Sequence, residues 1–124
     1  HQFNAFSCFT PSQVALATFL KIPGHYLSLP GFMQKKRDYF QGLMSATRFR
    51  ALPTHGSYFQ IYSYKEISDE PDMVFAKNLT TNYGVAGIPV SAFYQSGKDD
   101  KVLRFCFAKK EETIDLAVGK LKKV

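Results

Sequence analysis

An arginine lies at the centre of an otherwise apolar stretch, Val102 to Ala108, which reads Val-Leu-Arg-Phe-Cys-Phe-Ala. The other six residues are apolar and none is Pro or Gly, a composition typical of a buried β-strand. Side chains alternate between the two faces of a strand, so Arg104 lies on one face. The opposite face carries Leu103, Phe105 and Phe107, and we expect it to pack against the core.

A guanidinium in apolar surroundings requires an anion, because an unpaired and desolvated charge is very costly. The residue pattern leaves two interpretations open. Arg104 could form a structural salt bridge with an Asp or Glu elsewhere in the fold, which is the commoner case. Alternatively, it could bind the carboxylate or phosphate of a ligand, since the planar fork of a guanidinium contacts two oxygens of such a group.

The elements that must position this arginine follow the order helix, helix, strand, strand, helix, strand, strand, helix. The helices are predicted at 10–22, 28–46, 68–84 and 111–123, and the strands at 48–51, 57–64, 85–94 and 102–108. This order predicts an α+β fold, with a small and mostly antiparallel sheet packed with helices.

Apolar residues at three- and four-residue steps form the apolar faces of these helices, and we expect those of the second and third helices to pack in the core. The apolar residues are Val14, Ala17, Leu20, Leu29, Phe32, Met33, Phe40, Leu43, Met44, Val74, Phe75, Leu79, Ile114, Ala117, Val118 and Leu121. Thr10 and Gln13 form a potential capping box at the first helix. Gly84 is placed to end the third helix, and Pro89 confines its strand to an edge or a bend.

The composition and charge of the chain limit the classes of function that it could have. No apolar run approaches the ~18 residues of a membrane span, so we expect no membrane partner. The net charge is +6, with small basic clusters at 35–37 and at Lys120, Lys122 and Lys123. Both clusters fall on predicted helices, which favours solvated faces over a nucleic-acid surface.

Few other residues could form a disulfide, bind a metal or carry a modification. Cys8 and Cys106 each lie within an apolar stretch, and we interpret them as buried free thiols of a reducing, cytoplasmic compartment. Three scattered histidines have no metal-site spacing, so no metal is expected. Asn78-Leu79-Thr80 matches a glycosylation sequon, but it lies inside a predicted helix and we interpret it as chance.

Two segments carry a resemblance to a known family. Gly87 to Tyr94, followed by a short polar loop and then Leu103 to Ala108, resembles the C-terminal end of class I aminotransferases that use pyridoxal phosphate (PLP). The nearest branch is the kynurenine/glutamine and methionine aminotransferases. Further matches to that branch are His1-Gln2, Phe6, Thr10 to Gln13 and Gly56 to Phe59.

The resemblance implies a fold type I PLP enzyme. Residues 1–27 would be the tail of its large PLP domain with a linking helix, and residues 28–124 its C-terminal small domain. Arg104 would grip the substrate α-carboxylate, and Phe6 would line the active site of the partner subunit in a homodimer. Ser7 replaces a histidine found in some relatives, so the preferred amino acid cannot be carried over.

The resemblance also implies that the chain is part of a longer enzyme. The lysine that forms the Schiff base and the groups that hold PLP would precede His1, so no catalytic or cofactor-binding residue is expected in the chain itself. The parent would transfer an amino group between an amino acid and a 2-oxo acid, with a β-lyase side activity open, while the chain alone would be inactive. A stand-alone, non-catalytic binding module with a basic surface remains the alternative.

Overall fold

The computed structural model describes Phe3 and residues 6–124. It divides the chain into two compact units, His1–Phe32 and Met33–Val124. The predicted α+β class is confirmed, with a four-stranded antiparallel sheet and five α-helices within the described residues.

The first unit contains helices α1 (Thr10–Phe19) and α2 (Gly24–Leu27). The predicted cap is wrong, because Phe9 occupies the N-cap position without a side-chain hydrogen bond. The Gln13 side chain instead donates to the carbonyl oxygen of Cys8 at 3.1 Å. The predicted apolar face of α1 is not covered within this unit, because none of the described residues in the unit is buried.

The second unit holds the sheet and the remaining helices. Helix α3 (Leu29–Met44) begins in the first unit and continues into the second. The other elements, in chain order, are β1 (Arg50–Ala51), β2 (Phe59–Ser63), α4 (Asp72–Asn78), a π-helical turn (Leu79–Tyr83), β3 (Ile88–Pro89), a 3₁₀ turn (Ser91–Phe93), β4 (Val102–Cys106) and α5 (Glu111–Leu121).

The strands lie in the order β1-β2-β4-β3, and every neighbouring pair is antiparallel. Pro89 therefore lies on an edge strand, as predicted, where its missing N–H disrupts no ladder. Gly84 ends the π-helical turn in the left-handed conformation at φ 65°, also as predicted, because glycine adopts this conformation without steric cost.

The core covers one face of the sheet. Leu103, Phe105 and Phe107 are all buried, which confirms the predicted core face of β4. Phe40 of α3 packs edge-on against Tyr62 of β2, with ring centroids 5.7 Å apart. Further core residues come from α3, α4, the π-helical turn and α5, namely Met44, Phe75, Ala76, Leu79, Ile114, Val118 and Leu121.

Several details of the helices differ from the sequence pattern. Leu29 and Phe32 are about half exposed, and Val74 is 45% exposed although Phe75 beside it is buried. Only a narrow stripe of the seven-residue helix α4 faces the sheet, so a neighbouring position turns to solvent. The last helix ends at Leu121, which leaves the final lysines in a turn.

The predicted burial of the thiols is wrong. Cys8 and Cys106 are both free, as expected, but both are exposed. Cys106 shares the Arg104 face of β4, which points away from the core. Within the part of the chain that the structure describes, no helix has the length and apolar character needed to cross a membrane.

Candidate functional site

Arg104 occupies the middle of β4, which is an inner strand of the sheet. It pairs with Ile61 of β2 on one side and with Ile88 of β3 on the other. Its backbone is therefore fixed by neighbours on both sides, and its strand is anchored through the buried side chains of Leu103 and Phe105. Arg104 itself is partly buried, so the sheet presents a guanidinium on the face opposite the core.

Two aromatic rings flank this guanidinium. The Arg104 Cζ atom lies 4.6 Å from the ring centroid of Phe59 and 5.2 Å from that of Phe93. Both distances are within the range of cation–π attraction, which favours a cation over the face of a ring. Phe59 reaches Arg104 diagonally across the β2–β4 ladder, whereas Phe93 comes from the 3₁₀ turn after β3.

Among the described residues, Arg104 forms no ion pair and no hydrogen bond through its side chain. The ion pairs there join Arg37 to Asp38, Arg50 to Glu66, Lys98 to Asp100 and Lys101 to Asp99. The structural salt bridge considered from the sequence is therefore absent within this part of the chain. The aromatic rings stabilise the positive charge but use none of its N–H donors.

A buried carboxylate holds the turn that carries Phe93. Asp72, at the start of α4, is 1% exposed. Its two oxygens accept hydrogen bonds from the backbone N–H of Ser91 at 2.8 Å and from the Ser91 hydroxyl at 2.6 Å. Sequence reasoning missed this contact, because nothing in the residue pattern pairs a helix-start acid with a serine nineteen positions later.

A second acid organises the loop before β4. Asp99 accepts hydrogen bonds from the backbone N–H of Lys101 at 2.7 Å and of Asp72 at 3.0 Å. Burial opposes the charge of Asp99, but these two N–H donors and the Lys101 ammonium outweigh it, and the pKa of Asp99 lies below its ordinary value. Lys101 has φ 58°, and its ammonium also donates to the carbonyl oxygens of Asp69 and Glu70.

A glycine permits β3 to approach β4 closely. A Cβ atom added at Gly87 would lie 3.0 Å from Cδ1 of Leu103 and 3.0 Å from Cε1 of Phe105. Those distances are below normal van der Waals contact, so a larger residue at this position would require the Leu103 or Phe105 side chain to shift.

The other candidate residues are either exposed or have structural contacts. Phe6 precedes α1 in the first unit and is 89% exposed, and its assignment as a substrate contact stays a prediction. The Asn78 amide donates to both carboxylate oxygens of Glu70, at 2.9 and 3.0 Å, which gives this sequon residue a structural contact. In the described residues, no group of three or more His, Cys, Asp or Glu side chains could hold a metal ion.

Comparison with known proteins decides the family. The family model described as aminotransferase class I and II matches residues 2–121.

The chain belongs to the class I and II aminotransferases.

Curated relatives include methionine aminotransferase of Escherichia coli K12, which is 41% identical over 125 residues that cover 100% of this chain and 32% of that protein. Kynurenine–oxoglutarate transaminase 3 of Rattus norvegicus is 35% identical, over 94% of this chain and 30% of its own length. This aminotransferase chain therefore spans about a third of the length of the curated relatives that it matches.

Solved aminotransferases share the fold. The crystal structure of YbdL from Escherichia coli, described with a methionine aminotransferase function, superposes with a TM-score of 0.94 at 41% identity, over 100% of this chain and 33% of YbdL. N-succinyldiaminopimelate aminotransferase from Mycobacterium tuberculosis superposes with a TM-score of 0.85 at 26% identity, over 98% and 32%. These matches confirm the predicted fold type I aminotransferase architecture.

Aminotransferases of this family use PLP, and the described residues do not form a site for it. The cofactor requires a lysine for the Schiff base, commonly one whose pKa is lowered by burial. No lysine among the described residues is buried. The Lys101 ammonium is held by Asp99 and backbone carbonyl oxygens, and the pKa of Lys98 is raised by its hydrogen bond with Asp100. No catalytic step through PLP can be assigned to these residues.

Proposed function

We propose that this chain is the carboxylate-binding, active-site-closing part of a PLP-dependent aminotransferase that transfers an amino group between an amino acid and a 2-oxo acid. The observation that carries the proposal is the free guanidinium fork of Arg104, fixed on an inner strand and flanked by Phe59 and Phe93. Both substrates of such a reaction carry a carboxylate next to the reacting carbon. One rigid arginine can therefore hold each of them in turn.

The role of Arg104 would be orientation. Two parallel N–H···O contacts fix the plane and direction of a carboxylate, which sets the orientation of the adjacent Cα–H bond. The chemistry itself belongs to PLP and to a base outside the described residues. The Phe59 and Phe93 rings lie against the guanidinium and favour its positive charge through cation–π attraction.

The relatives suggest candidate substrates. The matched proteins are named for methionine and kynurenine as amino donors and for oxoglutarate as acceptor. We therefore propose L-methionine and L-kynurenine with 2-oxoglutarate as the first substrates to test. The aromatic flanks of Arg104 are compatible with thioether or aromatic side chains nearby, since sulfur and aromatic groups both pack favourably on rings.

The remaining features follow from the family resemblance. We propose that residues 1–27 end the large PLP domain and residues 28–124 form the small domain. The complete enzyme would be a cytoplasmic homodimer in which Phe6 lines the site of the partner subunit. The chain alone would neither bind PLP stoichiometrically nor catalyse transamination, because the described residues contain no buried lysine.

The test is a substitution of Arg104 in the complete, PLP-loaded enzyme. Removal of one partner from a desolvated charge pair typically costs about 2–5 kcal/mol. For Arg104→Ala we therefore expect kcat/KM for L-methionine to fall by roughly 30-fold to several thousand-fold, and Arg104→Lys should recover little of this loss because lysine lacks the fork. The loss should be much smaller for 3-methylthiopropylamine, which is methionine without its carboxylate.

Arg50→Lys is the matched control. Arg50 lies on the edge strand β1 and pairs with the exposed Glu66, and exposed pairs of this kind contribute little because water screens both charges. We expect this variant to retain the kinetics of the parent enzyme. Equal losses for L-methionine and the amine in Arg104→Lys would contradict the carboxylate-binding role.

A further inference from the structure

Asp72 and Ser91 form a contact that the proposed chemistry does not by itself explain. The Asp72 carboxylate is 1% exposed, and burial of a charged group is costly unless its oxygens are satisfied. Ser91 supplies two hydrogen bonds, one to each oxygen, from its backbone N–H and from its hydroxyl. A buried acid is thus coupled to one particular residue of a surface turn.

That turn carries Phe93 to its position over Arg104. Ser91–Phe93 form one 3₁₀ turn, in which the N–H of Phe93 bonds to the carbonyl of Val90 and that of Tyr94 to the carbonyl of Ser91, both at 3.0 Å. Phe93 is 62% exposed, so core packing does not hold its ring. The backbone of the turn, and therefore Ser91, determines where the ring lies.

The other end of the contact is rigid. Asp72 begins α4, and its N–H donates to Asp99 at 3.0 Å. Asp99 also binds the N–H of Lys101, which immediately precedes β4. The acid that holds the Phe93 turn is therefore connected through hydrogen bonds to the strand that carries Arg104.

We propose that Asp72 and Ser91 are positioning residues that hold Phe93 over one side of the Arg104 guanidinium and so direct its fork toward the substrate carboxylate. This inference rests on the proposed function. Without the contact the 3₁₀ turn would move, Phe93 would no longer cover the guanidinium, and Arg104 would sample more side-chain conformations. The consequence is weaker binding of carboxylate-bearing substrates without loss of the fold.

The test is a double-mutant cycle in the complete, PLP-loaded enzyme, with Ser91→Ala, Phe93→Ala and the pair. Ser91→Ala removes one hydrogen bond and keeps the backbone bond to Asp72, so the fold should persist. Loss of a cation–π contact predicts a KM for L-methionine raised about two- to thirty-fold in Phe93→Ala, with a smaller rise in Ser91→Ala. Ser96→Ala, in the same exposed loop, is the matched control.

The decisive result is coupling. If Ser91 acts through Phe93, Ser91→Ala should raise KM for L-methionine in the parent but change it less than about twofold in the Phe93→Ala background. Ser91→Thr, which keeps the hydroxyl, should restore KM, and kcat/KM for 3-methylthiopropylamine should fall less than kcat/KM for L-methionine in every variant. Asp72→Asn, which keeps one acceptor oxygen, should raise KM as Ser91→Ala does.

Independent, additive effects of Ser91→Ala and Phe93→Ala would overturn the positioning role, as would an unchanged KM in Ser91→Ala. The same variants distinguish a failure of the proposed function from a failure of the positioning role. Equal losses for the amino acid and the amine in Arg104→Lys would remove the carboxylate site and this inference with it. A selective loss in Arg104→Lys together with additive Ser91 and Phe93 effects would overturn the positioning role alone.

Discussion

Gly87→Ala should destabilise the protein through a single methyl group. The added Cβ would lie 3.0 Å from Cδ1 of Leu103, and 3.0 and 3.1 Å from two ring carbons of Phe105. Leu103 is 0% exposed and Phe105 is 4% exposed, so a packed core side chain must shift to admit the methyl group. An overpacked core of this kind costs about 1–3 kcal/mol in the free energy of unfolding.

Gly42→Ala and Gly119→Ala are matched controls with the opposite expected sign. Both glycines lie in helices, α3 and α5, and a Cβ at either position meets nothing within 4 Å. Replacement of an exposed helical glycine by alanine stabilises by about 0.5–1 kcal/mol. The same substitution should therefore lower stability at one position and raise it at the other two.

The assay is equilibrium urea unfolding of the purified protein, followed by far-ultraviolet circular dichroism. We expect the midpoint of Gly87→Ala to fall and the midpoints of the two controls to rise, with unchanged m-values. A Gly87→Ala variant as stable as the two controls would refute the close-packing explanation.

Three further predictions concern stability and association. Tyr62→Phe should raise the free energy of unfolding, by up to about 1–3 kcal/mol, because it removes a hydroxyl that is buried without a partner among the described residues and that has lost its hydration without a hydrogen bond in return. Tyr64→Phe should cost about 0.5–1.5 kcal/mol, because it loses the bond to Glu70; equal urea midpoints for the two variants would contradict this. The lowered pKa of Asp99 means that its carboxylate contributes to stability above its ordinary pKa of 3.8 and that this contribution is lost as the pH falls below that value. Asp99→Asn should therefore flatten this part of a curve of Tm against pH. A curve that is the same in the variant and the parent would contradict this contribution. The 124-residue chain should self-associate despite its +6 charge, because large apolar side chains of its first unit are exposed. Sedimentation velocity measures this association. The same degree of association after deletion of residues 1–9 would count against the role of the exposed phenylalanines.

The sheet and its core face were predictable because strand periodicity is a local property. The apolar run around Arg104 identified both the strand and its buried side, and Pro89 identified an edge. The burial of the apolar face of α1 was not predictable in the same way. Periodicity shows that a helix has an apolar face, but it does not show what covers that face, and the first unit covers none of it in this structure.

Only the central residue of the candidate site was predicted from the sequence. Arg104 stood out because a charge interrupts an apolar strand. Phe59 could have been found from the antiparallel register, since it lies two residues from the partner of Arg104. The contact between Asp72 and Ser91 depends on how α4 packs beside the turn after β3, and no local pattern encodes such a long-range contact.

A crystal structure of the complete enzyme with L-methionine bound would test the role of Arg104 most directly. The expected result is a substrate carboxylate in the plane of the Arg104 guanidinium, with two N–H···O contacts of about 2.7–2.9 Å. Phe59 and Phe93 should remain on either side of the guanidinium. A carboxylate bound by another residue, with Arg104 paired to an Asp or Glu of the protein, would contradict the proposed function.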